Sequence, residues 1–141
     1  MFASPFSSRG AVRPLHSDLY QQVGLESRLA GATPHQLVAM LFDGFVESLS
    51  HARGAMRAGR ADIKGAAIGR AVRIIDEGLR AGLDLRAGGT LARDLHDLYG
   101  YLTLRLTMAN LHNDERALEE CLRLIAPLRD AWTSIADPMP R

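Results

Sequence analysis

The chain has 141 residues, enough for one domain that buries a core without disulfides or metals. Seventeen Lys+Arg against 16 Asp+Glu leave a formal net charge of +1 with no run of like charges, which excludes nucleic acid and anionic lipid as expected partners. No segment approaches ~18 continuous apolar residues, so no membrane insertion is expected; the lone Cys121, set in an apolar helical pattern, fits a reduced, buried thiol and a cytoplasmic location.

Residues 1–14 carry Pro5, Ser7, Ser8, Gly10 and Pro14 and read as a flexible N-terminal arm; without an apolar h-region they do not make a secretory signal. Residues 15–137 form the expected domain, and 138–141 a tail. Leu15 to Leu29 has weak periodicity and reads as a short helix or arm packed on the bundle. Thr33-Pro34-His35-Gln36 then predicts a helix start: Thr33 caps, Pro34 stands at N1, and Gln36 at N3 completes a capping box. This helix is expected to run to about Ala58. A second spans about Ala61 to Asp84–Arg86 and is closed by Gly88-Gly89. Thr90 is expected to cap a third, ending near Leu111. Asn113 or Asp114 caps the last, which runs to about Ala136.

The connections are short, and short links make sequential helices antiparallel neighbours. The expected fold is therefore all-α, an antiparallel up-down four-helix bundle. At about 100° per residue each helix has a core stripe. Leu37, Leu41, Phe45, Leu49, Ala52 and Met56 line the first, and Ile68, Ala71, Val72, Ile75, Leu79 and Leu83 the second. The third presents Leu91, Leu95, Leu98, Tyr99, Leu102, Leu106 and Ala109, and the fourth Leu118, Cys121, Leu122, Ile125, Leu128 and Trp132.

Three features depart from a plain bundle. The third helix has a second apolar row, Tyr101, Leu104, Met108 and Leu111, roughly opposite its core stripe. The N-terminal arm, a second copy of the chain or a partner helix would have to cover it. Glycines 44, 54, 65, 69, 78 and 82 lie inside helices, where each costs about 1 kcal/mol relative to Ala; close helix packing and a groove for a ligand helix both account for them. Pro127 sits within the last helix and predicts a kink, but the apolar period resumes through Trp132 and Ile135, so the helix bends rather than ends.

No chemistry is visible. The five histidines are scattered, none has a Glu three residues before it as a di-iron bundle requires, and no zinc cluster, phosphate loop or nucleophile elbow occurs. His51-Ala52-Arg53-Gly54 is a loose echo of a histidine phosphotransfer site, but a basic residue two positions on lies off the His face. The expectation is no enzyme and no cofactor.

Four stretches carry a family likeness. Thr33-Pro34-His35-Gln36-Leu37-Val38-Ala39-Met40-Leu41-Phe42-Asp43-Gly44 opens the first helix. Ile74 to Asp84, followed by Gly88-Gly89, ends the second. Leu98-Tyr99-Gly100-Tyr101 leads to Arg105-Leu106 and Ala109-Asn110, and Leu128-Arg129-Asp130-Ala131-Trp132 lies near the C-terminus. In this order and spacing, from about Tyr20 to Trp132, the chain resembles the flagellar secretion chaperone family FliS. Gly100 stands where an acidic residue is usual, and Pro127 and the longer arm also depart from the pattern. The resemblance implies a cytoplasmic chaperone that binds the C-terminal helical region of flagellin, prevents premature polymerisation and assists delivery to the type III export gate component FlhA. A flagellar regulatory protein stands as a further candidate partner. The flagellin-binding residues expected are Leu19 and Tyr20 in the N-terminal segment, Phe42 and Val46 at the edge of the first stripe, and Tyr101, Leu104 and Met108 in the second row. The rival reading is a homo-oligomeric bundle using that row for self-association.

Overall fold

The computed structural model describes residues 31–135; the N-terminal arm, the Leu15–Leu29 segment with Leu19 and Tyr20, and the C-terminal tail lie outside them. The first helix, α1 (Pro34–Arg57), starts as its sequence dictates: the Thr33 hydroxyl accepts from the Gln36 amide, the Gln36 side chain accepts from the Thr33 amide, and Pro34 occupies the first turn. The second, α2 (Ala61–Arg73), passes without a break into a π-helical stretch, Ile74–Arg80. Then follow α3 (Gly89–His112) and α4 (Glu115–Ser134), with no strand among the described residues.

Each helix packs on its chain neighbours and α4 closes back on α1. Cross-links at both ends fix the directions. Trp132 near the end of α4 reaches His35 at the start of α1, whereas Glu115 at the start of α4 meets Arg53 near the end of α1. Between α2 and α3, Lys64 reaches Asn110 and Asp76 reaches Thr103. The result is the antiparallel four-helix bundle that the periodicity implies, with α1 and α3 at opposite corners. Its centre is Phe45, Leu49, Ile74, Leu102, Leu118 and Ile125, none of which is exposed. Full burial of a side chain of this size contributes about 1.5–3 kcal/mol.

Several boundaries differ from expectation. The second helix ends at Arg80 rather than near Asp84–Arg86, because Asp84 organises a turn instead: its carboxylate accepts from the Arg86 and Ala87 amides and its carbonyl from the Gly88 amide. That turn feeds the chain into α3 with Gly88 at the cap position, so Thr90 lies inside the helix and does not cap it. Gly88 is required there, since a Cβ would lie 2.8 Å from the Asp84 carbonyl and 2.5 Å from Ala92. Leu91 is not a core residue: it is 68% exposed, and Ala92 takes the inward position. Asp114 caps α4, accepting from the Arg116 and Ala117 amides.

Gly44 packs closely, as one reading of the helix glycines has it: a Cβ would lie 3.2 Å from the Ile74 side chain, across the contact between α1 and the π-helical stretch. Gly54 and Gly69 face open space. α4 runs on through Pro127, which stands on the exposed side of the helix, where a carbonyl left without its helical partner meets water. Cys121 is fully buried with its sulfur 3.9 Å from the Leu102 carbonyl, and desolvation pushes the thiol up to about 12.

Candidate partner-binding site

A helix in a bundle of four has one face too many when apolar residues recur on both sides. On α3, Leu102 and Leu106 point inward with no exposure, and Leu104 lies about 200° from each around the helix. Leu104 is accordingly 57% exposed, Tyr101 40% and Leu111 71%, with Met108 half-buried between them. The second row is open along the outside of α3 among the described residues.

Its edge toward α4 is fixed by polar contacts. The Tyr101 hydroxyl donates to Glu120 at 2.6 Å, and Arg105 Nε donates to the other oxygen of the same carboxylate at 2.7 Å. These two hydrogen bonds, the Tyr101 bond foremost, hold the Glu120 carboxyl below the usual carboxylate range, and the same bond raises Tyr101. The Tyr101 ring therefore has a set direction along the surface. On the other flank Thr103 donates to Asp76 of the π-helical stretch at 3.1 Å. A strip of Leu104, Met108 and Leu111 thus runs between two polar rims.

A second apolar surface opens at the end of the bundle where α1 begins and α4 finishes. It is a cleft of about 260 Å³. Leu79 and Leu83 from the α2 side, Leu91 and Tyr99 from α3 and Leu128 and Trp132 from α4 line it, with Val38 and Phe42 of α1 beneath. No charged side chain is among its lining residues. Burial pushes the Tyr99 phenol up to about 12. Trp132 stacks on His35, ring centroids 4.8 Å apart and 14° from parallel, and donates its indole N–H to the His35 carbonyl at 3.0 Å.

The expected site residues divide between these places. Tyr101, Leu104 and Met108 lie together on the row. Phe42 is only 4% exposed, so it belongs to the core and the floor of the cleft rather than to an edge. Val46 is half-buried against the core, on α1 and thus across the bundle from the row. Sequence reasoning missed the cleft, and with it Leu91 and the pairing of Trp132 with His35. The one sequence signal was Leu91 itself, a leucine in the first turn of a helix whose neighbour Ala92 competes for the inward position.

Among the described residues, no three or more His, Cys, Asp or Glu side chains gather to hold a metal ion. His51 is exposed, and Arg53 beside it turns to Glu115 and Glu119 at 3.3 and 3.2 Å. No helix among them is long and apolar enough to cross a membrane.

The chain is similar in sequence to known proteins. A flagellar secretion chaperone FliS of Salmonella typhimurium is 45% identical over 117 residues, covering 83% of this chain and 87% of the relative. The flagellar secretion chaperone FliSB of Pseudomonas aeruginosa is 42% identical over 117 residues, with 83% and 92% covered. The flagellar secretion chaperone FliS of Bacillus subtilis is 29% identical over 113 residues, 80% of each chain. The family described as flagellar protein FliS matches residues 16–139. A bundle with an open apolar row, an apolar end cleft and these relatives along most of its length leads to one assignment: this chain belongs to the FliS family.

Proposed function

We propose that this chain is a cytoplasmic flagellar export chaperone that binds the C-terminal helical region of flagellin, prevents its premature polymerisation and assists its delivery to the export gate component FlhA. The observation that carries the reading is the exposed row of Tyr101, Leu104 and Leu111 on α3, in a chain whose relatives are named secretion chaperones. Residues 15–137 serve as the chaperone domain, with 1–14 as an arm and 138–141 as a tail.

Flagellin's terminal segments are amphipathic helices that pair with one another inside the filament. Alone in solution such a helix exposes an apolar stripe and self-associates. A complementary apolar surface masks the stripe by helix-in-groove binding, with anchors at i, i+3, i+4 and i+7. The row offers this spacing from Tyr101 through Leu104 and Met108. The cleft supports a second anchoring point with Phe42 at its base. Two weak contacts on one client gain through effective concentration, while ordering of the client keeps the net affinity moderate. Such a client leaves again at the export gate. Leu19 and Tyr20 of the N-terminal segment are further client-binding residues in this reading. A flagellar regulatory protein is a further partner in this reading.

Calorimetric titration of a flagellin C-terminal peptide tests it. Leu104→Asp is expected to weaken binding by about tenfold or more, since it sets an unpaired charge in a desolvated contact, and Tyr20→Ala by less. Unchanged affinity in both, with folding intact, removes the assignment. Light scattering tests the rival: a stable dimer that Leu104→Asp dissociates assigns the row to a second copy of the chain.

A further inference from the structure

Trp132 occupies an unusual place for a cleft wall. It lies in the last turn of α4, five residues past Pro127 and two before the helix ends at Ser134. Terminal turns fray, and an indole there ordinarily samples several rotamers. Trp132 is also only partly buried, so core packing does not lock it from all sides. His35 makes two directional contacts with it: the stacked imidazole at 4.8 Å and the backbone carbonyl at 3.0 Å. His35 in turn stands in the first turn of α1, between Pro34 and Gln36 and inside the Thr33/Gln36 capping box. One turn before Trp132, Arg129 pairs with Asp43 of α1 at 2.8 Å and holds the same two helices together.

We infer that His35 is a positioning residue, whose imidazole sets the Trp132 indole as a fixed wall of the end cleft before any ligand arrives. Immobilising a rotamer-rich side chain on binding costs affinity. An indole already stacked face to face loses little further freedom when an apolar side chain enters beside it. The wall also suits an apolar ligand. Its indole N–H is satisfied by the His35 carbonyl, so a purely apolar group can lie against the ring without leaving a buried donor unpaired. The client identity rests on the flagellin reading above; the preset wall does not.

The two contacts are separable, because any residue at position 35 supplies the carbonyl. His35→Ala and His35→Gln remove the ring alone, and His35→Phe restores a flat ring. The chain has a single tryptophan, so indole emission reports Trp132 directly. The cleft is probed with 1-anilinonaphthalene-8-sulfonate, detected by energy transfer from Trp132, and separately with the flagellin C-terminal peptide. The expected result is faster local depolarisation of Trp132 in His35→Ala and His35→Gln, weaker dye and peptide binding by about threefold to tenfold, and recovery of both in His35→Phe. A purely structural role would lower the melting temperature and leave the affinity of the folded protein unchanged. Wild-type affinity in His35→Ala or His35→Gln, no rescue by His35→Phe, or no saturable dye site in the wild-type chain overturns the inference. Should the dye follow the expected order while the peptide binds no variant, the wall stands and the flagellin reading falls.

Discussion

The two ends of the bundle are built by opposite means. Where α1 and α3 finish and α2 and α4 begin, the helices are tied together by charged and polar groups beside a pocket of about 200 Å³ lined by Lys64 and Asn113. Arg53 and Arg57 converge on Glu115, Arg53 also reaches Glu119, and the buried Lys64 donates to the Asn110 carbonyl at 3.0 Å and to the Asn113 side chain at 3.1 Å. Asn113 takes the left-handed conformation that stops α3, and Asp114 caps α4 at once. At the other end the α2–α3 connection spans residues 81–88, and an uncharged cleft opens beside exposed Leu91 and Ile135. Polar groups at one end satisfy each other. Among the described residues, apolar groups at the other stand exposed, Leu91 and Ile135 foremost. A protein that must hold a partner without losing its own fold gains from this division, since the polar end supplies stability that the open end does not need to provide.

The sharpest break of the comparison is a reciprocal pair of substitutions. Leu118→Ala, in the first turn of α4 and fully buried, should cost about 2–5 kcal/mol and lower Tm by roughly 10 °C or more, while the folded variant keeps its affinity for flagellin peptide. Leu91→Asp at the open end should leave stability within about 0.5 kcal/mol yet weaken peptide binding by about tenfold. Thermal melts and titrations on both variants decide it, and equal effects on stability would erase the distinction between the ends. A smaller effect is expected from Asp114→Ala, which removes the α4 cap and should cost about 1 kcal/mol in urea denaturation with binding unaltered.

The smallest effect is on acid tolerance. The hydrogen bond from Arg57, with Arg53 adding to it, holds the Glu115 carboxyl below its ordinary range. A carboxyl depressed in the folded state contributes stability at pH values above its unfolded pKa of about 4.3, and that contribution is lost as pH falls through the folded value. Stability should therefore be flat from pH 7 to about pH 5 and decline below that, with a shallower decline in Glu115→Gln. Because Arg57 is exposed and Glu115 only partly buried, added salt should flatten the decline further. The lining of the cleft has no carboxylate, so acid should reach the polar end first.

How much of this was legible in the sequence follows from the range of the forces involved. The Thr33/Gln36 capping box, the Asp114 cap and the α1 stripe from Leu37 to Met56 depend on residues within one or two turns, and all stand as the spacing implies. The row of Tyr101, Leu104 and Met108 was legible for the same reason: angular position on a helix is a local property. What escaped was decided between segments. Thr90 loses its capping role to a turn organised six residues earlier by Asp84. The π-helical winding of Ile74–Arg80 brings Ile74 and Gly78 inward beside Ile75 and Leu79, although neither lies on the stripe that runs on from Ile68 and Val72. The cleft is assembled from four helices at once, and His35 and Trp132 meet across 97 positions of sequence. Phe42 lies next to the stripe in angular position and under the cleft in space.

The chain's single cysteine has a practical consequence. Cys121 is sealed in the interior and its thiolate is strongly disfavoured, so maleimide reagents at neutral pH find nothing to attack on the folded protein. A cysteine introduced at position 91 or 104 would be the lone addressable thiol. Dyes or spin labels placed there would watch the cleft or the row of α3 one at a time, with the native sulfur silent.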